Sequence, residues 1–398
     1  MPHEPLTARK AACLTAVLGL LSIFPPLATD MYLAGLGDIA VSLNASASAT
    51  ELSLSIFFFG LCVGQLLIGP LLDGLGRKGP LLAATALFVV TSLALIVVKD
   101  ITTFNTLRFL QALGACGGMV VGRAIVNDLY EGRRAAQAMT VLVMLLTIGP
   151  IISPTLGSLL LGAFGWRSIF VVMITVGIIA FILSLIIVPE TLPREKRLAS
   201  PFRSGAKTAA TLLQSTNFII PAVIAGLVQA GMFAFITGSS GVFQGVFGLS
   251  AVSFGLMFAG IAVALMLFGQ INNRLLDHFT PERILKTGLP CYVAFAFILT
   301  LLSSTQTLWI FIVPLWLAIG MVGLLSANAM HLAMAAARNS AGIGSAVLGA
   351  VQFGIAFAVS SCVALGGSDS PLPMALGILI PATGAFLLSR IPSKRVVQ

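Results

Sequence analysis

Of the 398 residues, 58% are hydrophobic and only 9% are charged, too few charges to dress a water-soluble surface, which ordinarily carries about a quarter to a third. The formal charge of +9 would suit a nucleic-acid partner only if the basic residues were clustered, and instead they recur in short loops between apolar stretches. Composition excludes a soluble enzyme and a nucleic-acid binder, and it makes lipid the main solvent.

From the amino end, apolar stretches near 11–36, 50–70, 79–98, 103–126, 137–162 and 166–188 are each long enough to cross a ~30 Å hydrocarbon core as a helix. The longest polar segment follows, 190–215, and then six more stretches near 216–240, 250–270, 284–303, 307–330, 341–363 and 371–390. The expected fold is therefore an all-α polytopic membrane protein with twelve transmembrane helices in two pseudo-symmetric six-helix bundles. Residues 1–189 form the first bundle, 190–215 a linker loop and 216–398 the second bundle. The first stretch follows a short basic patch, as a signal peptide does, but it runs too long, lacks a small-residue cleavage site and leads into further spans, so it is expected to be retained.

Basic residues alternate from loop to loop. Arg9, Lys10, Arg77, Lys78, Arg133 and Arg134, the linker cations, Arg274, Arg283, Lys286, Arg338, Arg390, Lys394 and Arg395 fall on one side, and only Lys99 and Arg167 on the other. By the positive-inside rule both termini and the linker are cytoplasmic, in a bacterial inner membrane. Cys13, Cys62, Cys116, Cys291 and Cys362 lie inside spans without metal spacing and read as small buried hydrophobes. His3, His278 and His331 fit no metal or catalytic spacing, and there is no phosphate-cradling loop. An enzyme, an ATP-driven pump, a bound metal and a cofactor are all expected to be absent.

Asp30 is the one acid placed well within the apolar part of a span, because Glu51 falls at a span edge and Asp38 and Asp100 in loops. An acid at that depth marks a proton or ion pathway by default. Arg108 lies inside the fourth span and needs a wet cavity or an acidic partner, and Arg123 lies further along the same span. Asp30, Arg108 and Arg123 are therefore the candidate proton-coupling set, the acid taking up and releasing a proton as its surroundings alternate. Met31 and Tyr32 flank the acid and are candidate substrate contacts.

The string Gly69-Pro70-Leu71-Leu72-Asp73-Gly74-Leu75-Gly76-Arg77-Lys78 has a turn permitted by glycine, an acid able to meet a helix N-terminus or a cation, and two cations for the anionic leaflet. It resembles the G-x-L-x-D-x-x-G-R-K motif of the major facilitator superfamily, with Gly74 where a basic residue is common, and it reads as a gate latch built on Gly69, Asp73, Gly76, Arg77 and Lys78. Leu107-Arg108-Phe109-Leu110-Gln111-Ala112-Leu113-Gly114 resembles that family's span-4 motif, whose arginine is associated with proton coupling. Ala112 stands there where glycine is common.

Gly149-Pro150-Ile151-Ile152-Ser153-Pro154-Thr155-Leu156-Gly157 is similar to the antiporter motif of the drug-exporting branches, in which Pro150 and Pro154 kink the helix while Gly149 and Gly157 permit close packing. Leu27-Ala28-Thr29-Asp30-Met31-Tyr32-Leu33 resembles the A-T-D-M-Y-L-P string of Bcr/CflA exporters, with Ala34 in place of the usual proline. Asn127 and Ser240 depart from a common arginine and a common proline.

The resemblance implies a monomeric carrier without cofactor that exports drugs or other small amphipathic compounds by alternating access, driven by protons. By fold analogy it also brings Phe57, Phe58, Gln65, Gln229, Phe233, Phe235 and Gln352 onto central spans, a minority of them expected to touch substrate. The alternative is a proton-coupled transporter of an amino acid, nucleoside or sugar on the same fold, running as an importer; a cavity lined with charges and amides would favour it, and the chain offers few of either.

Overall fold

The computed structural model describes residues 8–130 and 132–391; Lys394 and Arg395, counted above for orientation, lie outside the described residues. The described chain is helical throughout its ordered elements. The first apolar stretch is not one helix. It comes as α1 (Ala8–Ser22), α2 (Phe24–Asp30), a 3-10 turn (Leu33–Gly35) and α3 (Leu36–Ser42). Pro25 and Pro26 have no N–H to continue the ladder, so they sit in the first turn of α2, where none is needed.

The remaining helices are α4 (Ala47–Leu75), α5 (Lys78–Val97), α6 (Ile101–Leu129), α7 (Gly132–Phe164), α8 (Arg167–Ile187), α9 (Pro201–Gln214), α10 (Thr216–Ser240), α11 (Ala251–Leu275), α12 (Pro281–Leu301), α13 (Leu308–Ala336), α14 (Ala341–Leu365) and α15 (Leu372–Leu388). Side-chain caps start several of them: Ser46 accepts from the Ala49 N–H, Asp100 from Thr103 and Ser250 from Ser253. With α1 to α3 taken as one broken crossing and α9 set aside, the helices make the twelve expected spans. α10 runs straight on into a π-helical turn, Gly241–Val246, which hydropathy does not signal.

α9 occupies the segment expected as plain loop. Phe202, Ala206, Ala209, Ala210 and Leu213 recur at helical spacing on one face, and Arg203 and Lys207 are exposed. Its start is fixed by Pro201, which packs on Gly74 at the end of α4.

Lipid offers helices no hydrophobic reason to associate, so contact rests on close packing and buried hydrogen bonds. In the first half α6 packs on α4 and α5, and α5 on α8; in the second, α10 packs on α13, α14 and α15, and α13 on α11 and α12. Two long seams join the halves, α4 along α14 and α7 along α11. Large apolar side chains such as Leu93, Ile186 and Trp309 stand exposed on the outside, as lipid-facing residues should. The cysteine expectation needs correcting: Cys116 is buried, but Cys13, Cys291 and Cys362 are exposed on outward helix faces and Cys62 is half-buried.

Candidate functional site

The short α2 leaves its last carbonyls without helical partners, and one of these organises the buried charge of the first half. Arg108, wholly buried on α6, donates from Nη2 to the Ala28 carbonyl at 2.7 Å and from Nη1 to Gln111 Oε1 at 2.5 Å. Gln111 passes the chain on, donating to Ser92 Oγ at 2.7 Å. The guanidinium lies over the rings of Tyr32, 4.3 Å away, and Phe57, 4.5 Å away, a desolvated cation–π sandwich. Arg108 thus meets neither the wet cavity nor the acidic partner expected of it; two rings, a carbonyl and an amide take their place.

Asp30 is 1% exposed at the end of α2, and its Oδ1 accepts from Thr29 Oγ1 at 2.8 Å. Among the described residues no ion pair joins Asp30 to Arg108 or to Arg123. The link to Arg108 is indirect, through the backbone of α2. Tyr32 is buried and shares a 2.8 Å hydrogen bond with Ser53 on α4, and Met31 is buried with its carbonyl against α7. A Cβ on Gly157 would run into that carbonyl, and one on Gly149 would stand 2.7 Å from Pro26 Cγ. The two motif glycines therefore let α7 lie directly on the broken first span, while Pro150 and Pro154 sit inside α7.

Glu51 is a second buried acid, 4% exposed, where a span-edge residue was expected. The cap at Ser46 starts α4 early enough to carry Glu51 into the seam between the halves. Its Oε1 accepts from Ser368 Oγ at 2.7 Å. Ser48 Oγ donates to the Ala364 carbonyl, Gln244 Nε2 to Ala34 O at 3.2 Å and Thr155 Oγ1 to Gly255 O at 3.3 Å. These four contacts tie the halves together at the end remote from the linker, around a pocket of about 690 Å³ that also holds Asp38 and Asp369.

At the linker end the halves part around a cavity of about 860 Å³ between α4, α6, α13 and α14, with α9 lying across it. Its walls are mostly apolar, among them Leu66, Val120, Phe202, Leu213, Met334 and Val347; Gln65, Arg123, Asn127, Ser204 and Ser345 are polar, and the ion-paired Asp73, Arg77 and Asp128 also line it. Of the residues expected to contact substrate, Gln65 lines this cavity. Phe58 packs at a tilt on Phe233 across the halves, with ring centroids 4.5 Å apart, and Phe233 likewise on Phe353 at 5.9 Å. Gln229 and Gln352 are half-buried on α10 and α14, Phe57 lies on Arg108, and Phe235 packs on Phe258 at 4.8 Å within the second half. Arg123, grouped with Asp30 by expectation, stands in the cavity wall.

The expected latch is a network of wider reach than its motif. Gly76, at φ +96°, makes the turn. Arg77 donates to Asp73 at 3.0 Å and to Asp128 at the end of α6 at 2.9 Å. Thr191 also donates to Asp128, at 2.7 Å. Glu190, just beyond α8, accepts from the N–H groups of Arg77 at 2.8 Å and Lys78 at 3.3 Å and pairs with Arg197 at 3.4 Å. Lys78 reaches the Leu185 carbonyl, and the Leu198 N–H meets the Asp73 carbonyl. Burial pushes the Glu190 carboxyl up, but the N–H donors of Arg77, Leu192 and Lys78 together with the Arg197 charge outweigh it and hold the group below the usual carboxylate range. Gly69 lines the cavity beside this network. Asp128, Glu190 and Arg197 belong to this network and lie outside the Gly69–Lys78 string, so motif reading misses them.

Twelve crossing helices in two packed halves, parted at one end and joined at the other, define a membrane carrier and not an enzyme. The chain belongs to the Major Facilitator Superfamily, whose sequence profile matches residues 17–361. It is 32% identical over 402 residues to the MFS-type transporter YdgK of Bacillus subtilis, covering 100% of both chains. It is 28% identical to a bicyclomycin resistance protein homolog of Haemophilus influenzae over 90% of each chain. The xylose transporter XylE from E. coli, in a partially occluded inward-open conformation, superposes with a TM-score of 0.76 over 97% of this chain and 99% of that one, at 13% identity, a likeness of fold alone. Within the superfamily the chain is of the Bcr/CflA type.

Proposed function

We propose that this carrier exports drugs or other small amphipathic compounds from a bacterial cell in exchange for protons, by alternating access across its inner membrane. The observation that carries this reading is the coexistence of a buried acid without a cationic partner, Asp30, and a largely apolar cavity open towards one end of a fold whose other end is closed. A resistance protein among the relatives supports the choice of cargo. The linker end is cytoplasmic on the charge pattern, so the cavity faces the compartment from which a drug would be taken. Residues 1–189 act as the coupling bundle, 216–398 as its counterpart and 190–215 as their tie, in a monomer.

The cycle follows from the two ends. Protonation of Asp30 removes the charge that the end of α2 must accommodate, and α2 is held by Arg108 at Ala28 and by α7 at Met31. A change at Asp30 is thereby passed to α7 and along its seam with α11, where the halves meet. The energy suffices: one charge moving through 100 mV yields about 2.3 kcal/mol, and tenfold accumulation costs about 1.4 kcal/mol.

The test is accumulation of a panel of antibiotics and dyes in an efflux-deficient bacterium expressing the chain or its Asp30→Asn variant, with and without a protonophore. Lowered accumulation that both the variant and the protonophore abolish is the expected result. Export that persists in Asp30→Asn removes the acid from the mechanism. A well-expressed chain that moves no panel member hands the assignment to a native metabolite.

A further inference from the structure

The two intramembrane arginines of α6 are satisfied very differently. Arg108 has a carbonyl, an amide and two rings. Arg123 has one long hydrogen bond, from Nε to the Met119 carbonyl of its own helix at 3.4 Å. Neither terminal nitrogen has a partner among the described residues. The nearby acids are committed elsewhere: Asp73 and Asp128 accept from Arg77, Asp128 also accepts from Thr191, and neither forms an ion pair with Arg123. Yet Arg123 lines the cavity of about 860 Å³, which Gln65 from α4, Asn127 and the acids Asp73 and Asp128, both already paired with Arg77, also line. A guanidinium at membrane depth with no charged partner among the described residues marks a functional position, and its two terminal nitrogens form a fork that matches a carboxylate in bidentate fashion.

We infer that Arg123 is a specificity residue that anchors a carboxylate on an otherwise apolar substrate. The inference rests on the reading of the cavity as the substrate site. Apolar walls hold the body of such a molecule, and their low polarity strengthens the ion pair that orients it. The volume lies within the range of pockets that enclose drug-sized ligands.

The experiment uses the full chain in lipid nanodiscs, with empty nanodiscs as the partition control, and three dansyl probes that share one apolar body: dansylglycine, dansylglycinamide and dansylcadaverine. Fluorescence titration is expected to show the carboxylate bound about tenfold more tightly than the neutral amide, with the amine weakest. Arg123→Gln should erase the carboxylate preference and leave amide binding unchanged, and Arg123→Lys should keep part of it, because the charge remains and the fork is lost. Saturable binding with no carboxylate preference in the wild type, or a preference that survives Arg123→Gln, overturns the role of Arg123 and leaves the cavity reading standing. No saturable binding of any probe by folded wild type overturns both.

Discussion

The two halves of this carrier share a helical plan and differ in what they bury. The first half encloses Asp30, Glu51, Arg77, Arg108 and Gln111; among the described residues the second encloses no charged side chain, and its largest buried polar feature is the pair Asn328–Asn272, joined at 2.7 Å. A neutral amide pair costs little to keep in lipid and adds roughly 0.6 kcal/mol. Buried charges are costly unless their surroundings are built for them, and α2, α4 and α6 are built in that way around Arg108. The contrast suggests a division of labour in which one repeat carries the titrating and charged machinery and the other supplies a surface for it to move against.

Arg108 offers the strongest test of that contrast. Arg108→Leu takes away the partner of the Ala28 carbonyl, of Gln111 and of two rings at once. We expect efflux to fall to background and stability to drop by on the order of 3 kcal/mol, read as export and as thermal melting. Asn328→Leu, its counterpart in the second half, should cost about 1 kcal/mol and leave export running. If both variants silence export equally, the halves are not specialised.

Next in size come two glycines on helices that face each other across a seam. Gly157→Leu drives a side chain of α7 into the Met31 backbone, whereas around Gly260 on α11 a new Cβ meets nothing within 4 Å. The first should lose about 1–3 kcal/mol with a matching fall in melting temperature, and Gly260→Leu should melt like the wild type. Equal melting of the two would mean that α7 does not bear on the first span.

How far these features were legible depends on the reach of each interaction along the chain. Hydropathy located all twelve crossings because each span is a local run. The Gly69–Lys78 motif was readable for the same reason, being complete in ten consecutive residues. Arg77 finds Asp128 and Glu190 at separations of 51 and 113 residues, which no window along the chain can register. The pair Pro25-Pro26 is itself a local signal for a break in the first span, but the capture of the Ala28 carbonyl by Arg108 requires α6 to be in place. α9 carries its own signal in apolar residues at helical spacing, masked by the basic residues that mark a linker. Phe235 shows the opposite error, since an aromatic residue on a central span packs on Phe258 as readily as it faces a substrate.

The latch sharpens the contrast more gently. Arg77 makes two ion pairs, while Arg283, in the first turn of α12, rests over Phe279 at 4.9 Å. Arg77→Gln should cost about 1–2 kcal/mol and slow export, and Arg283→Gln should stay within about 0.5 kcal/mol of the wild type by melting.

The smallest effect concerns Glu190, whose carboxyl is held below its ordinary value of 4.5 by the turn that Arg77 and Lys78 begin. A carboxyl with a lowered pKa in the folded state binds its proton later than the unfolded chain does, so its contribution is complete above about pH 4.5 and declines as pH falls through the folded value. The side chain is about a third exposed, so solvent screening limits that contribution to under about 1 kcal/mol. Melting of the purified chain should therefore show a small deficit for Glu190→Gln at pH 7 and pH 5 that shrinks steadily as the pH is taken below 4.5. A deficit that widens on acidification would mean that the protonated carboxyl is the form the latch prefers, and the N–H groups of Arg77 and Lys78 would then not be what holds α5 to the end of α8.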